Sequence, residues 1–302
     1  VPVASLISFA LSIAQSLYFY WLDTGDRYLG TFSMTPLHSP SQTCVRPFVL
    51  LCFCLVYDVW GRQKDDNYQG VFFHVEKGLK KYYIYLAVLL FLSSLAKPVF
   101  AEMFIPSVGL VMLVEWLGRI KRKDGSARPY FAHCLTTLLC AVPTLLSILV
   151  QSLVFFVSAD PAFNRGVILT KWMEVWNMFS ENILLSIALG MAFPLFLVLI
   201  DTRFFMKDDL GRLALTGYLV GLLEAAILGE DGYRLIDANF MWPMMCGMLL
   251  LWVTAMLRFL TLAKTQKSTR TQRLLTDFAW FLFILHVICG VAFLCENIFM
   301  IA

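Results

Sequence analysis

Nine predominantly apolar stretches divide this sequence, and they constrain its fold more than any other feature. They lie near residues 2–22, 45–60, 82–97, 99–118, 131–157, 181–200, 210–229, 239–262 and 276–301. A helix of about 20 such residues spans the hydrocarbon core of a bilayer. Within lipid every backbone N–H and C=O must be paired inside the segment, so these runs are helices rather than strands. The sequence therefore predicts an all-α integral membrane protein with about nine transmembrane helices.

Composition supports a membrane protein and argues against other classes. Only 15% of the residues are charged, compared with roughly 25% in soluble domains. The net charge of +3 is small and no basic face carries interleaved aromatics, so we expect no nucleic-acid partner. The cysteines form no CxxC pair, so they suggest neither a zinc site nor a disulfide framework. We expect one transmembrane domain over residues 1–302, with a further segment preceding Val1.

The loops between these stretches alternate in basic charge, which predicts the orientation of the chain. Loops 61–81 and 119–130 each contain five Lys or Arg residues, loop 201–212 contains three and loop 258–273 contains five. Loops 23–44, 97–102 and 230–238 each contain one, and loop 158–180 contains two. Because basic loops face the cytoplasm, we expect a cytoplasmic N-terminal end, an external C-terminus and a multi-pass protein of the plasma membrane.

The first outer loop contains a candidate phosphate-binding motif. Ser39 and Pro40 are typical of an N-cap and a first helical residue. The N–H groups of that helix start, with Arg46 two turns further on, suit a phosphate at the membrane surface. His38 is a candidate donor, acid or base. The alternative is that His38 is an ordinary polar loop residue and that Ser39-Pro40 only starts the helix.

Three ionisable residues lie in or beside apolar stretches, where charge is costly and often functional. Lys97 and Glu102 flank Pro98 in the segment SSLAKPVFAEMFIPS. They are candidate substrate-binding residues, or alternatively an ion pair at a tight turn. Glu224 lies before the last outer loop, at a depth where a purely structural carboxylate is difficult to explain.

The last outer loop, GEDGYRLIDANFMW, has the densest polar cluster in the chain. Asp231-Gly232 is a turn signal, and Asp237 is a candidate N-cap of the following span. A turn and an N-cap explain Asp231 and Asp237 but not the other polar residues of this loop. We therefore take the cluster as a candidate site, and its members are Glu230, Asp231, Arg234, Asp237 and Asn239.

Four segments, PLHSPSQTCVRPF, LAKPVFAEMFIP, AFPLFLVLID and GEDGYRLIDANFMW, resemble stretches of multispan bacterial membrane proteins that are similar to the C-type integral-membrane glycosyltransferases. The resemblance touches residues 36 to 242. It implies an all-helical cell-envelope enzyme that transfers a sugar from a polyprenyl-phosphate carrier on the outer face of the membrane. Membrane lipid, the lipid-linked donor and other membrane proteins are the implied partners. The cofactor stays open, a divalent metal included.

Inverting transfer requires a carboxylate that accepts the acceptor's proton and cations that hold the leaving phosphate. The candidates for proton transfer are Glu230, Asp231, Asp23, Asp26 and His38. In the resembling enzymes the base usually lies in the first outer loop, which favours Asp23 and Asp26 or a residue upstream of Val1. The candidates for binding substrate and phosphate are Ser39, Arg46, Lys97, Glu102, Glu224, Arg234, Asp237 and Asn239.

Two other functions remain open. A transporter or flippase of lipid-linked intermediates would have charged residues throughout the helix interiors and often two related halves. A non-catalytic assembly subunit would pair its outer charges internally and leave no cavity.

Overall fold

The computed structural model describes residues 2–17, 39–123, 125–157, 166–265 and 269–299. Most of this part of the chain is helical. The first six helices are α1 (Pro2–Ile13), α2 (Pro40–Lys64), α3 (Lys80–Ala96), α4 (Val99–Arg122), α5 (Ala127–Leu139) and α6 (Val142–Val157). The other six are α7 (Glu174–Asn177), α8 (Ile183–Ile200), α9 (Thr202–Lys207), α10 (Asp209–Ile227), α11 (Met241–Thr265) and α12 (Arg270–Phe299).

Two short strands interrupt the helices and were not expected from the sequence. Strand β1 (Val167–Leu169) pairs antiparallel with β2 (Leu228–Glu230), and Val167 lies opposite Glu230. A 3-10 helix, Gly232–Asp237, follows β2 directly. The sheet therefore joins the connection before α7 to the connection between α10 and α11.

Seven helical segments in the described part of the chain are long and apolar enough to cross a membrane. They are Pro40–Lys64, Val99–Arg122, Ala127–Val154, Ile183–Ile200, Asp209–Ile227, Arg234–Lys264 and Arg270–Glu296. This confirms the all-α membrane class at a coarse level. The other two predicted spans correspond to α3, which has 17 residues, and to α1, which has 12.

The first predicted span, residues 2–22, is not one continuous helix over its described part. Helix α1 ends at Ile13, and residues 14–17 are not helical. Their backbone groups are paired with neighbouring helices instead, because Gln15 N–H donates to the carbonyl of His286 and Leu17 N–H to that of Leu189. A break in a helix at such a depth is tolerated when the freed groups find partners in the protein.

Helices α10 and α11 pack closely against each other, and glycines permit the approach. A Cβ added at Gly221 would lie 2.5 Å from the Met244 Cα, and one added at Gly247 would lie 2.6 Å from the Gly217 carbonyl oxygen. Glycines spaced four apart, as Gly217 and Gly221 are, commonly mark close helix packing in membranes.

The bundle has two chemically different ends. The sheet end consists of β1, β2, the 3-10 helix and the first turns of α2, α4 and α11. The basic end consists of the last turns of α2 and α4 and the first turn of α10. Asp58 of α2 is fully buried near the basic end, where it binds the loop that follows this helix.

Candidate functional site

Two cations lie at the sheet end around Cys246 of α11. Arg46, in the second turn of α2, and Lys97, between α3 and α4, both lie near the Cys246 thiol. Gln42 Nε2 donates to the Cys246 Sγ at 3.2 Å and to the Trp242 carbonyl at 3.4 Å. Three connections that are far apart in sequence therefore meet here.

Neither Gln42 nor Arg46 is fully satisfied within the described part of the chain. The Arg46 Nη2 and the Gln42 Oε1 are buried and have no hydrogen-bond partner there. Buried charge without a partner is costly. The Arg46 Nη2 therefore leaves a donor for an anion, whereas the Gln42 Oε1 leaves an acceptor for an N–H or O–H group.

Lys97 does not form the predicted ion pair with Glu102. Its Nζ lies 3.7 Å from the centre of the Trp242 ring, a cation–π contact, and no ion pair of Lys97 is found among the described residues. The geometry explains this, since Lys97 ends α3 with extended backbone while Glu102 lies in the first turn of α4. Burial lowers the pKa of Lys97 to about 8, so a nearby anion would favour its charged form.

Glu230, at the end of β2, is the best-connected carboxylate at the sheet end. Its Oε2 accepts a hydrogen bond from the Asn239 Nδ2 at 2.8 Å and pairs with the Arg234 Nε at 3.1 Å. The side chain is 17% exposed. Both contacts to described residues use the same oxygen, so Oε1 keeps the capacity to accept a further hydrogen bond.

Asp231 and Asp237 have local structural functions. Asp231 Oδ1 accepts from the Gly232 N–H at 2.8 Å, and Gly232 has a positive φ of 68°, which confirms the predicted turn. Asp237 pairs with the Arg234 Nε at 3.2 Å. The prediction that Asp237 caps the following span is wrong, because it ends the 3-10 helix and α11 begins only at Met241.

Two further carboxylates, those of Glu102 and Glu224, lie inside the bundle beyond Glu230. Glu102 interacts electrostatically with Glu230, and Glu224 with Glu102. Glu224 Oε2 is buried and lacks a hydrogen-bond partner among the described residues. Three carboxylates predicted from two distant segments are therefore neighbours.

The structure describes only some of the candidate site residues that were predicted in the first outer loop. Asp23, Asp26 and His38 lie outside the described residues. Ser39 precedes α2 and Pro40 is its first residue, as predicted, but the Ser39 side chain makes no capping hydrogen bond. The Ser39 carbonyl instead accepts from the Thr43 N–H and hydroxyl.

An apolar cavity of about 410 Å³ adjoins Arg46, between α1, α2 and α11. Sequence reasoning did not find this cavity, because its walls come from three separate spans. Arg46 is the charged residue of its lining, and most of the other lining residues are aliphatic.

Sequence reasoning also missed an ion-pair network at the basic end. Glu115 of α4 is 11% exposed and accepts from the Lys64 Nζ at 2.8 Å, the Arg119 Nη2 at 2.9 Å and the Arg212 Nη2 at 3.2 Å. Asp209 pairs with Lys64 and Arg212 as well. The sequence did contain one signal for this network, because Glu115 is a carboxylate inside the predicted span 99–118. This network ties α2, α4 and α10 together.

No group of three or more His, Cys, Asp or Glu side chains in the described ranges is placed to hold a metal ion. No protein-family model, curated protein or solved structure matches this chain. A function must therefore be argued from the site itself.

Proposed function

We propose that this chain is an integral-membrane glycosyltransferase that takes a sugar from a polyprenyl-phosphate carrier and transfers it at the sheet end. In the proposed topology nine segments span the plasma membrane, with the basic end in the cytoplasm and the sheet end outside. One observation carries the proposal: two cations, a carboxylate bordering solvent and an apolar cavity converge at one end of the bundle.

In the proposed reaction the carboxylate and the two cations have separate roles. The acceptor hydroxyl loses its proton to the Glu230 carboxylate as its oxygen bonds to the anomeric carbon of the sugar. The bond from that carbon to the phosphate oxygen breaks, and the polyprenyl phosphate leaves with the electron pair. Arg46 and Lys97 would stabilise the leaving phosphate. Asn239 and Arg234 would orient Glu230.

Glu102 and Glu224 would support the same step from the interior. Glu102 lies near Glu230, and Glu224 lies near Glu102. They would exclude a second anion from the acceptor side of the site.

A transporter of lipid-linked intermediates is the second candidate, and one observation favours it. The non-helical residues 14–17 follow α1 within the bundle, and interrupted helices often form transport sites. Such a protein would bind the carrier lipid but would form no glycosidic bond.

The test is sugar transfer from a polyprenyl-phosphate donor in liposomes. Replacement of Glu230 by Gln keeps the shape and removes the basicity, so transfer should fall by a factor of order 10² or more. Asp231→Asn should have a smaller effect, because Asp231 caps a turn.

The matched control is Glu76→Gln, a carboxylate paired with Lys81 far along the chain from the site, and it should retain wild-type transfer. Full activity of Glu230→Gln and Asp231→Asn would remove this loop from catalysis and direct attention to Asp23 and Asp26. Wild-type protein that transfers no sugar from any polyprenyl-linked donor would contradict the enzyme and favour transport.

A further inference from the structure

A cleft of about 490 Å³ lies at the basic end, between α2, α4, α9 and α10. It is separate from the candidate site at the sheet end, and the two have no residue in common. Its lining is strongly charged. The cations of the lining are Lys64, Arg122, Lys207 and Arg212, and the carboxylates are Glu115, Asp208 and Asp209. We call this feature the basic cleft.

The carboxylates of the basic cleft are already bound by groups of the protein. Glu115 pairs with three cations and Asp209 with two. Asp208 is the N-cap of α10, and its Oδ1 accepts from the Leu210 N–H at 2.9 Å. A cationic ligand would therefore have to compete with the protein's own cations and with a helix cap.

The cations of the basic cleft keep more binding capacity than its carboxylates. Arg122, in the last turn of α4, and Lys207, the last residue of α9, are exposed and form no ion pair with any described residue. Both ion pairs of Arg212 use its Nη2 atom, so its Nη1 keeps the capacity to donate. Because three helices each supply one of these groups, the cleft favours an anion with several acceptor oxygens, such as a phosphate.

An apolar strip on α4 leads from the middle of this spanning helix to the basic cleft. The strip consists of Leu110, Val114 and Leu117, which are exposed on the protein. They lie on one face, since residues three and four apart are neighbours on a helix. Val114 is 58% exposed and also lines the cleft. In a bilayer such a strip contacts acyl chains, so the apolar contact and the phosphate site adjoin each other.

We propose that the basic cleft binds the headgroup of an anionic membrane lipid, with its phosphate held by Arg122 and Lys207 and one acyl chain along the apolar strip of α4. Basic pockets between spanning helices are suited to such headgroups. The lipid binds at the end of the bundle opposite to the candidate site, so the proposal does not depend on the proposed enzyme or on its carrier. It would reinforce the ion-pair network around Glu115, because it joins the ends of α4 and α9 to the start of α10.

Native mass spectrometry of the full chain in detergent tests this site. The probe is dioleoyl phosphatidylglycerol, and dioleoyl phosphatidylcholine, which has the same chains and no net charge, is the comparison. Wild type should bind the first phosphatidylglycerol more tightly than phosphatidylcholine. Replacing both Arg122→Gln and Lys207→Gln should weaken phosphatidylglycerol binding roughly 30-fold, at about fivefold for each cation near an anionic lipid. Binding of phosphatidylcholine should change far less.

Two control variants show whether the loss is specific to the cleft. Lys121→Gln with Lys123→Gln removes two exposed cations from the same end of α4 that do not line the cleft, and it should bind like wild type. Gly118→Trp should block the cleft while every cation remains, because Gly118 lines it and a Cβ there meets no atom within 4 Å. Gly78→Trp is its control at an exposed loop position that is equally open.

Three outcomes would overturn the proposal. The first is wild-type affinity for phosphatidylglycerol in both monodisperse cleft variants, the double Gln variant and Gly118→Trp. The second is an equal loss in Lys121→Gln with Lys123→Gln, because the effect would then come from surface charge in general. The third concerns the source of the phosphate: inorganic phosphate should displace the lipid only at far higher concentration, and displacement at equal concentration would assign the cleft to a soluble anion.

Discussion

At the scale of single residues, the most heavily hydrogen-bonded side chain in the described structure is Asp58. Its carboxylate is fully buried and accepts from the Tyr68 hydroxyl at 2.6 Å and from the N–H groups of Val71, Phe72 and Phe73 at 2.7–2.8 Å. Burial, with the adjacent Asp58 carboxylate, raises the pKa of Tyr68, so its hydroxyl remains a donor. Asp58 thereby holds the loop after α2 against the bundle.

Asp58→Asn should release this loop. The amide presents one acceptor oxygen and turns two donors toward N–H groups, and each lost charge-assisted bond is worth roughly 1.5–3 kcal/mol. Hydrogen exchange of the amides at 71–73 should therefore accelerate at least tenfold, as measured by mass spectrometry. Tyr68→Phe, which removes one of the donors, should give a smaller increase.

Asp66→Asn is the control for this prediction, because Asp66 is exposed in the same loop and should leave exchange unchanged. Protection of residues 71–73 that is equal in Asp58→Asn and in wild type would show that the loop is held by other contacts.

At the scale of secondary-structure elements, the contact of α10 with α11 positions the site. Glu224 lies on α10 and Trp242 and Cys246 lie on α11, so the distance between these helices sets the spacing of carboxylates and cations. Small residues let helix backbones approach closely in a membrane, where apolar burial gives little preference for one partner over another. The glycines at 217, 221 and 247 therefore act on the site through packing.

Gly221→Ala should push the two helices apart. The new Cβ would meet the backbone of Met244 at 2.5 Å, and overpacking of this kind typically destabilises by about 1–3 kcal/mol. We expect a lower thermal unfolding temperature in detergent and weaker binding of polyprenyl phosphate. Gly118→Ala is the matched control, because a Cβ there meets no atom within 4 Å.

An unfolding temperature of Gly221→Ala equal to that of Gly118→Ala would contradict this prediction. It would mean that α10 and α11 adjust to an added methyl group without strain.

At the scale of the whole molecule, charged side chains lie at both ends of the bundle but are paired differently at each end. The basic end is held by the network around Glu115, in which each described carboxylate contacts at least two cations. At the sheet end, Arg46 and Glu224 have buried side-chain atoms and make no ion pair with any described residue. Charges that pair with each other stabilise packing, whereas buried charges without partners favour ligand binding.

The proposed topology predicts labelling of introduced cysteines from opposite sides of the membrane. In a background without native cysteines, Asp65→Cys and Met206→Cys should react with an impermeant thiol reagent only after permeabilisation. Leu169→Cys and Ile236→Cys should react in intact cells. Each site is exposed on the protein, so poor access does not explain a negative result.

Reaction of Asp65→Cys and Leu169→Cys from the same side would invalidate the orientation inferred from loop charge. The assignment of the sheet end to the outer face would then be wrong, together with the proposed location of the acceptor.

The sequence by itself determined the membrane class and the approximate location of most helices. Long apolar runs must form helices in lipid because their backbone groups have no other partner. Sequence also singled out Arg46, Lys97, Glu102, Glu224 and Glu230, because ionisable groups near apolar segments are rare. The glycines at 217 and 221 were not singled out from the sequence, and their close approach to α11 became evident only in the structure.

Only the tertiary structure decided which of these groups are neighbours. Lys97 contacts Trp242 rather than Glu102, since the extended backbone between α3 and α4 directs it toward α11. Asp237 pairs with Arg234 instead of capping α11, and residues 14–17 leave the helix because α8 and α12 satisfy their backbone groups. The cavity beside Arg46 depends on three spans distant in sequence. Local propensity and charge do not determine such long-range contacts, because they arise only when the helices pack.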